Sequence, residues 1–199
     1  MKSFRMPLSQ DKAYNLPCFS FPLWGVCKRC QRMQEHESIP SDKNGFSCWK
    51  CEKDGIKSKD CELEAAKFVI ICPKGHIDEF PWDEWVHFDR DTKIVKKCEK
   101  NPNNPQLNFG NDQNSSALKA FGVLCTSCGK YRNFSGATER SALKEMGITC
   151  TGKSPWIGPG KSPCFDKHGN EQEVRGIQTR AGSLWYSINT SAIKVPKWL

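Results

Sequence analysis

Paired cysteines constrain this chain more than any other feature. Cys27 and Cys30 in FPLWGVCKRCQRM are followed seventeen residues later by Cys48 and Cys51 in SCWKC, the spacing Cys-x2-Cys-x17-Cys-x2-Cys. In a Cys-x2-Cys knuckle a tight turn points two thiolates at one ion, and two knuckles complete a tetrahedron, so this spacing predicts a zinc ribbon. A redox Cys-x2-Cys would stand alone beside a βαβ pattern, which is missing here. A further knuckle, Cys125 and Cys128 in LCTSCGK, precedes Cys150 and Cys164, giving Cys-x2-Cys-x21-Cys-x13-Cys. This is a looser ribbon with a helical insertion, and the alternative is a set of isolated buried thiols.

Between the two lies FVIICPKGHIDEFPWDEWVH, Phe68 to His87. Its apolar start has the length and β-branched content of a buried strand, and Pro73 and Gly75 then turn the chain and present His76. Asp78 is a plausible cap for a short helix, with Pro81 early in it and Asp83 and Glu84 in its first turn, where carboxylates suit the helix dipole. Trp82, Trp85 and Val86 repeat at helical spacing. Cys72, His76, His87 and Cys98 together offer two sulfurs and two nitrogens to a third ion; the alternative is a pair of core histidines. The crowded carboxylates raise a nuclease-like metal site and Cys72–His76 a nucleophile pair, but cap residues and a structural metal account for both more simply.

The expected fold is α+β: small β-rich, zinc-ribbon-like modules with short helices and about three structural Zn2+ sites. Three segments follow: an N-terminal ribbon at 1–66, a central strand–helix segment with the Cys/His cluster at 67–114, and a C-terminal knuckle module with final strands at 115–199. Residues 99–114, rich in Asn and Pro, read as a surface loop. SSALKAFGVL reads as a helix entering a strand, SGATERSALKEMG as a helix capped by Ser135 and ended at Gly147, and EVRGIQTR and SLWYSIN as strands. Residues 1–20, with Cys18, read as an irregular lead-in, and Cys61 reads as a small buried hydrophobe.

Mean hydropathy of -0.64 over 199 residues is lean for one large core, so the twelve cysteines take on the work of metal staples. No apolar run reaches the ~20 residues of a membrane span, and MKSFRMPLSQ lacks the apolar centre of a secretory signal, which points to a reducing cytoplasm with no membrane partner. The net charge of +8 invites nucleic acid, with basic flanks around an acidic middle. Two four-thiolate zincs alone would lower it to about +4, so charge is a weak argument by itself. Walker loops, GxGxxG after a strand, HExxH and GxSxG are all missing. Trp24, Trp82, Trp85, Trp156 and Trp185 can either stack on bases or pack around the metals.

Five blocks taken together, FPLWGVCKRC, AAKFVIICPKGHIDEFPWDEWVH, LCTSCGK, ITCTGKSPWIG and VRGIQTRAGSLWYSINTSAIKVP, resemble the N-terminal part of the DrmB family, a component of the DISARM anti-phage defence system. The resemblance implies a non-catalytic zinc protein that partners a helicase subunit (DrmA-like) and meets DNA through that complex, with no small-molecule substrate. It supplies no DNA-contact residue. A stand-alone nucleic-acid-binding ribbon, and an enzyme with an open zinc position at Cys72, His76, His87 and Cys98, are the rival readings.

Overall fold

The computed structural model describes residues 20–36, 46–111, 120–155 and 162–181. Cys18, Trp156, Trp185, most of the segment 115–120 and the expected strand SLWYSIN lie outside them. Among the described residues are strands β1 (Trp24–Cys27), β2 (Arg32–Glu35), β3 (Leu63–Ala65), β4 (Phe68–Ile71), β5 (Ile77–Glu79), β6 (Phe88–Asp89), β7 (Ile94–Val95), β8 (Leu107–Asn111), β9 (Phe121–Cys125), β10 (Tyr131–Asn133) and β11 (Arg175–Gln178). Helices α1 (Trp49–Lys53), α2 (Trp82–His87) and α3 (Arg140–Glu145) are short, as is a 3-10 turn at Ser58–Asp60. The chain is therefore β-rich with few short helices.

One six-stranded sheet runs β10-β9-β8-β2-β1-β3, and a three-stranded sheet runs β11-β4-β5; every pairing is antiparallel. Strands from 1–66 and from 115–199 thus share the larger sheet, with β8 of the middle segment between them. The smaller sheet likewise joins β4 and β5 to β11, about a hundred residues further along.

Residues 99–114 depart from a surface loop, because β8 runs through them. Leu107 and Phe109 alternate into the core, while Asn108 between them donates its side-chain amide to the Cys30 carbonyl at 3.3 Å. That period-2 signal is only two apolar residues long and is masked by the asparagines around it. Asp78 also departs from a helix cap: it sits in β5 opposite Ile70, and α2 begins after Pro81. Ser135 is not the cap of α3, which starts after Glu139.

α2 buries Trp82, Trp85 and Val86 as its spacing demands. They meet an aromatic cluster centred on Phe134, whose ring stacks on Phe68 at 4.5 Å and Phe109 at 5.9 Å and stands edge-on to Phe80 at 5.7 Å. Trp82 and Trp85 are 1% and 0% exposed, which settles them as packing residues rather than surfaces for bases.

Glu79, on β5, carries an unusual load. Its Oε1 accepts the Leu23 N–H at 2.6 Å, while Oε2 is shut from solvent with no hydrogen-bond partner among the described residues. Burial raises its pKa to about 7, against the opposing Leu23 N–H and Lys153 charge. The protonated form is thus favoured on folding, so this group's contribution to stability is complete below its ordinary value of 4.5 and is lost as pH rises through about 7. A tenfold difference in proton affinity between the folded and unfolded chain is worth roughly 1.4 kcal/mol. Glu79→Gln is expected to gain stability over the parent chain progressively between those two values; thermal melts of both proteins across that range check it, and a pH-independent difference contradicts it.

Candidate metal centres

Twelve donor side chains converge into three groups of four: Cys27, Cys30, Cys48 and Cys51; Cys72, His76, Cys150 and Cys164; and His87, Cys98, Cys125 and Cys128. Within each group all donor atoms lie within 4.8 Å of one another. The membership corrects the grouping expected from sequence order. The set Cys72–His76–His87–Cys98 does not form, nor does Cys125–Cys128–Cys150–Cys164; each splits in half and exchanges partners. One group has four sulfurs and two have three sulfurs and one nitrogen.

Chain geometry explains the exchange. β5 and then α2 separate His76 from His87, and a strand and a helix of this length carry the chain roughly 15–20 Å. His87, at the C-terminal end of α2, meets the β9–β10 knuckle, with Nε2 at 3.3 Å from the Cys128 sulfur. Cys98 follows β7 and brings its sulfur to 3.7 Å from that of Cys125. Cys72 and His76 bracket the β4–β5 turn, where Cys72 N–H donates to the His76 carbonyl at 3.1 Å. The distant half of that group arrives through a small ladder in which Cys150 N–H donates to Gln172 O and Gln172 N–H to Cys164 O, each at 2.9 Å.

The spacing decides what such groups can hold. Zinc–sulfur bonds of about 2.3 Å and zinc–nitrogen bonds of about 2.0–2.1 Å give tetrahedral edges of about 3.8 Å between sulfurs and about 3.5 Å between sulfur and nitrogen. Cys27–Cys51 and Cys30–Cys48 stand at 3.9 and 3.7 Å. His76 Nδ1 is 3.5 Å from both Cys72 and Cys150. These separations match an ion of zinc's size and far exceed a disulfide's ~2.05 Å. Four protein donors would close each coordination sphere.

Electrostatics favour a cation in the same places. Burial drives the Cys150 thiol up to about 12 and Cys125 up to about 11, each also raised by sulfur neighbours. Burial raises Cys51, Cys48 and Cys164 as well. Cys98 goes the other way, to about 7: burial opposes, but the N–H groups of Asn101 and Lys100 and the Cys125 and Cys128 thiols outweigh it. Cys30 is lowered similarly against its burial, by the Arg32 N–H and its three thiol neighbours. Crowded sulfurs thus tolerate few thiolates on their own, and a divalent cation is the charge that lets the others ionise.

The carboxylates do more than begin a helix. Asp83 lies one helical turn before His87, whose Nδ1 is 2.6 Å from its carboxylate and 2.9 Å from its carbonyl. This carboxylate–histidine contact leaves Nε2 for the metal. Asp78 accepts from Thr151 Oγ1 at 2.7 Å and Lys153 Nζ at 2.9 Å, tying the Cys150 segment to β5. The Asp-x3-His spacing on a helix was a readable signal; the 78–151 contact was not. Gly152 has φ of +68°, and a Cβ there would collide with the Ser162 carbonyl, so glycine lets the Cys164 segment approach Cys150. Cys61 is buried beside the first group, with its thiol directed to Lys57 O at 3.5 Å.

A family model described as "Domain of unknown function (DUF8724)" matches residues 1–186. Among curated proteins the chain is similar to "DISARM protein DrmB" of Bacillus paralicheniformis, at 28% identity over 199 residues, covering 98% of this chain and 31% of that protein. The chain therefore spans about a third of that relative's length, and its similarity to DrmB agrees with the sequence resemblance. Among the described residues no helix is long and apolar enough to cross a membrane.

The regrouping gives a direct test. Cys72 and Cys98 belong to different groups, so changing both to Ala is expected to remove two metal equivalents from the purified chain, whereas Cys72→Ala with Cys150→Ala removes one. Elemental analysis per mole of protein reads this, and loss of a single equivalent from the Cys72/Cys98 pair contradicts the grouping.

Proposed function

The chain belongs to the DUF8724 family, and from that premise we propose that it is a zinc-stabilised, non-catalytic module of a DISARM-type anti-phage defence component, which acts with a helicase subunit (DrmA-like) on DNA. The observation that carries this reading is the similarity to a DISARM protein along 98% of the chain, together with three donor groups of four ligands each. Spheres closed by four protein ligands are the form of structural zinc; a catalytic zinc keeps a position for water or substrate. The enzyme reading depended on Cys72, His76, His87 and Cys98 sharing one ion, and those residues are divided between two groups. A reducing cytoplasm is part of the proposal, because the described cysteines are all free thiols.

DNA is reached through the complex rather than by bulk charge. A four-thiolate zinc adds two negative charges and each three-thiolate site adds one, so the formal +8 becomes about +4 once three ions are bound. Non-specific attraction to phosphate at that charge is modest.

Co-expression with a DrmA-like helicase tests the proposal. The expected result is that the two co-purify and that the helicase binds DNA more weakly when this chain is left out. Separate elution with unchanged helicase binding contradicts it.

A further inference from the structure

Arg132, on β10, is a half-buried cation that is not ion-paired to a carboxylate among the described residues. Its guanidinium lies 3.6 Å from the centre of the Trp85 ring and 5.0 Å from that of Phe88. Nη1 is committed, donating to the Trp85 carbonyl at 3.1 Å and to the Met146 sulfur at 3.6 Å. Trp85 is in the last turn of α2, where a carbonyl lacks a helical partner and a cation is favoured, so Nη1 has a structural task. The rest of the fork has none. Nε is shut from solvent with no hydrogen-bond partner among the described residues, and Nη2 has none among them either.

Arg132 and Arg90 both line a cavity of about 420 Å³, whose wall between them is Val86 and Phe88. Arg90 lies two residues past Phe88 and is exposed. Burial, and next the charge of Arg90, bring the Arg132 pKa down to about 10, so the two cations act on each other across the cavity. Nearby carboxylates are engaged elsewhere. Asp89 holds Lys96 at 2.6 Å and the N–H groups of Asp91 and Thr92, while Glu145, whose charge reaches Arg132, is 4.0 Å from Lys93. Tyr131 takes no part, because its ring lies over Gly110 and Gly122 on the other face of the sheet.

Two guanidiniums without a counter-ion select an oxyanion, and their approach from two elements selects its shape. A planar carboxylate is satisfied by one fork, whereas a tetrahedral phosphate sends its oxygens in diverging directions and can meet both arginines. The volume falls within the range of small-ligand sites, roughly 300–1,000 Å³, which leaves room for the ester substituents of a phosphate. Arg132 is seated against Trp85 and Phe88 before any anion arrives, so little freedom is lost on binding.

We propose that this cavity is an oxyanion site that takes one phosphate group between Arg132 and Arg90. A DNA backbone and a free phosphate both present that chemistry. The backbone source rests on the reading above that the chain works on DNA; the site itself does not. Co-purification with a helicase does not involve the cavity, so the two ideas fail separately.

The test uses the metal-loaded full chain, isotope-labelled, with inorganic phosphate and an oligo(dT) as separate probes at constant ionic strength. The NMR resonance of the Arg132 Nε–H group reads contact, and melting temperature and metal content are measured on the same samples. Either probe is expected to shift that resonance saturably, and Arg90→Glu to weaken both by about tenfold, on the scale of one charge-assisted hydrogen bond. Lys59→Glu, the same charge change on the Ser58–Asp60 turn, is expected to leave phosphate at parental affinity. Saturation at a lower phosphate concentration with oligo(dT) assigns the source to the DNA backbone, and Arg90→Glu then lowers the slope of log affinity against log salt by about 0.7. Saturation at a lower concentration with inorganic phosphate supports the site and assigns it to a free phosphate. An Arg132 resonance that neither probe moves overturns the proposal. So does parental affinity in Arg90→Glu with metal and melting retained, or equal weakening of phosphate by Lys59→Glu, which assigns the effect to bulk charge. Saturation by polyglutamate as readily as by the tighter phosphate probe overturns it too, assigning the cavity to an acidic peptide.

Discussion

Buried sulfurs that cannot all ionise without a cation are the constraint on which this structure depends. The described strands have two to five residues and the α-helices five or six. Elements this short do not persist alone, since a helix needs about 12–15 residues to be even marginal in water. Their ends, however, carry the donors. β1 ends on Cys27, α1 holds Cys51, α2 ends on His87 and β9 ends on Cys125. An ion held by each group of four donors would fix strand positions that the sheet hydrogen bonds and the aromatic cluster then complete.

The order of the groups along the chain gives them unequal tasks. Cys27 to Cys51 closes locally. The group at His87 to Cys128 lies wholly within the long loop between His76 and Cys150, which the Cys72–His76–Cys150–Cys164 group closes. Closing a loop of that length removes more freedom from the unfolded chain than closing a short one. The enclosing group also relies on most contacts outside itself: Asp78 holding Thr151 and Lys153, Gly152 admitting Ser162, and β11 paired to β4.

The twelve side chains that the fold gathers into three groups were all legible from residue type and clustering, because thiols and imidazoles gathered this densely have few other uses. Their partnership was not. Sequence order suggests nearest neighbours, and only the six-stranded sheet and the β4–β11 pairing reveal that Cys72 faces Cys150 while His87 faces Cys128. β8 was hidden by its asparagines, and the first-turn carboxylates looked like generic helix-start residues until Asp83 was seen against His87 and Asp78 against Lys153. Phe134, the centre of the aromatic cluster, has no pattern around it that distinguishes it from any isolated aromatic. Arg132 is similar: its meaning comes from the Trp85 ring beneath it, 47 residues away in sequence.

Cadmium NMR of the chain loaded with cadmium in place of zinc tests the central claim most directly, because the resonance position reports how many sulfurs surround each ion. The account predicts three resonances, one in the four-sulfur region and two in the region of three sulfurs and one nitrogen. Two four-sulfur resonances with one of two sulfurs and two nitrogens, or fewer than three bound ions, would contradict it.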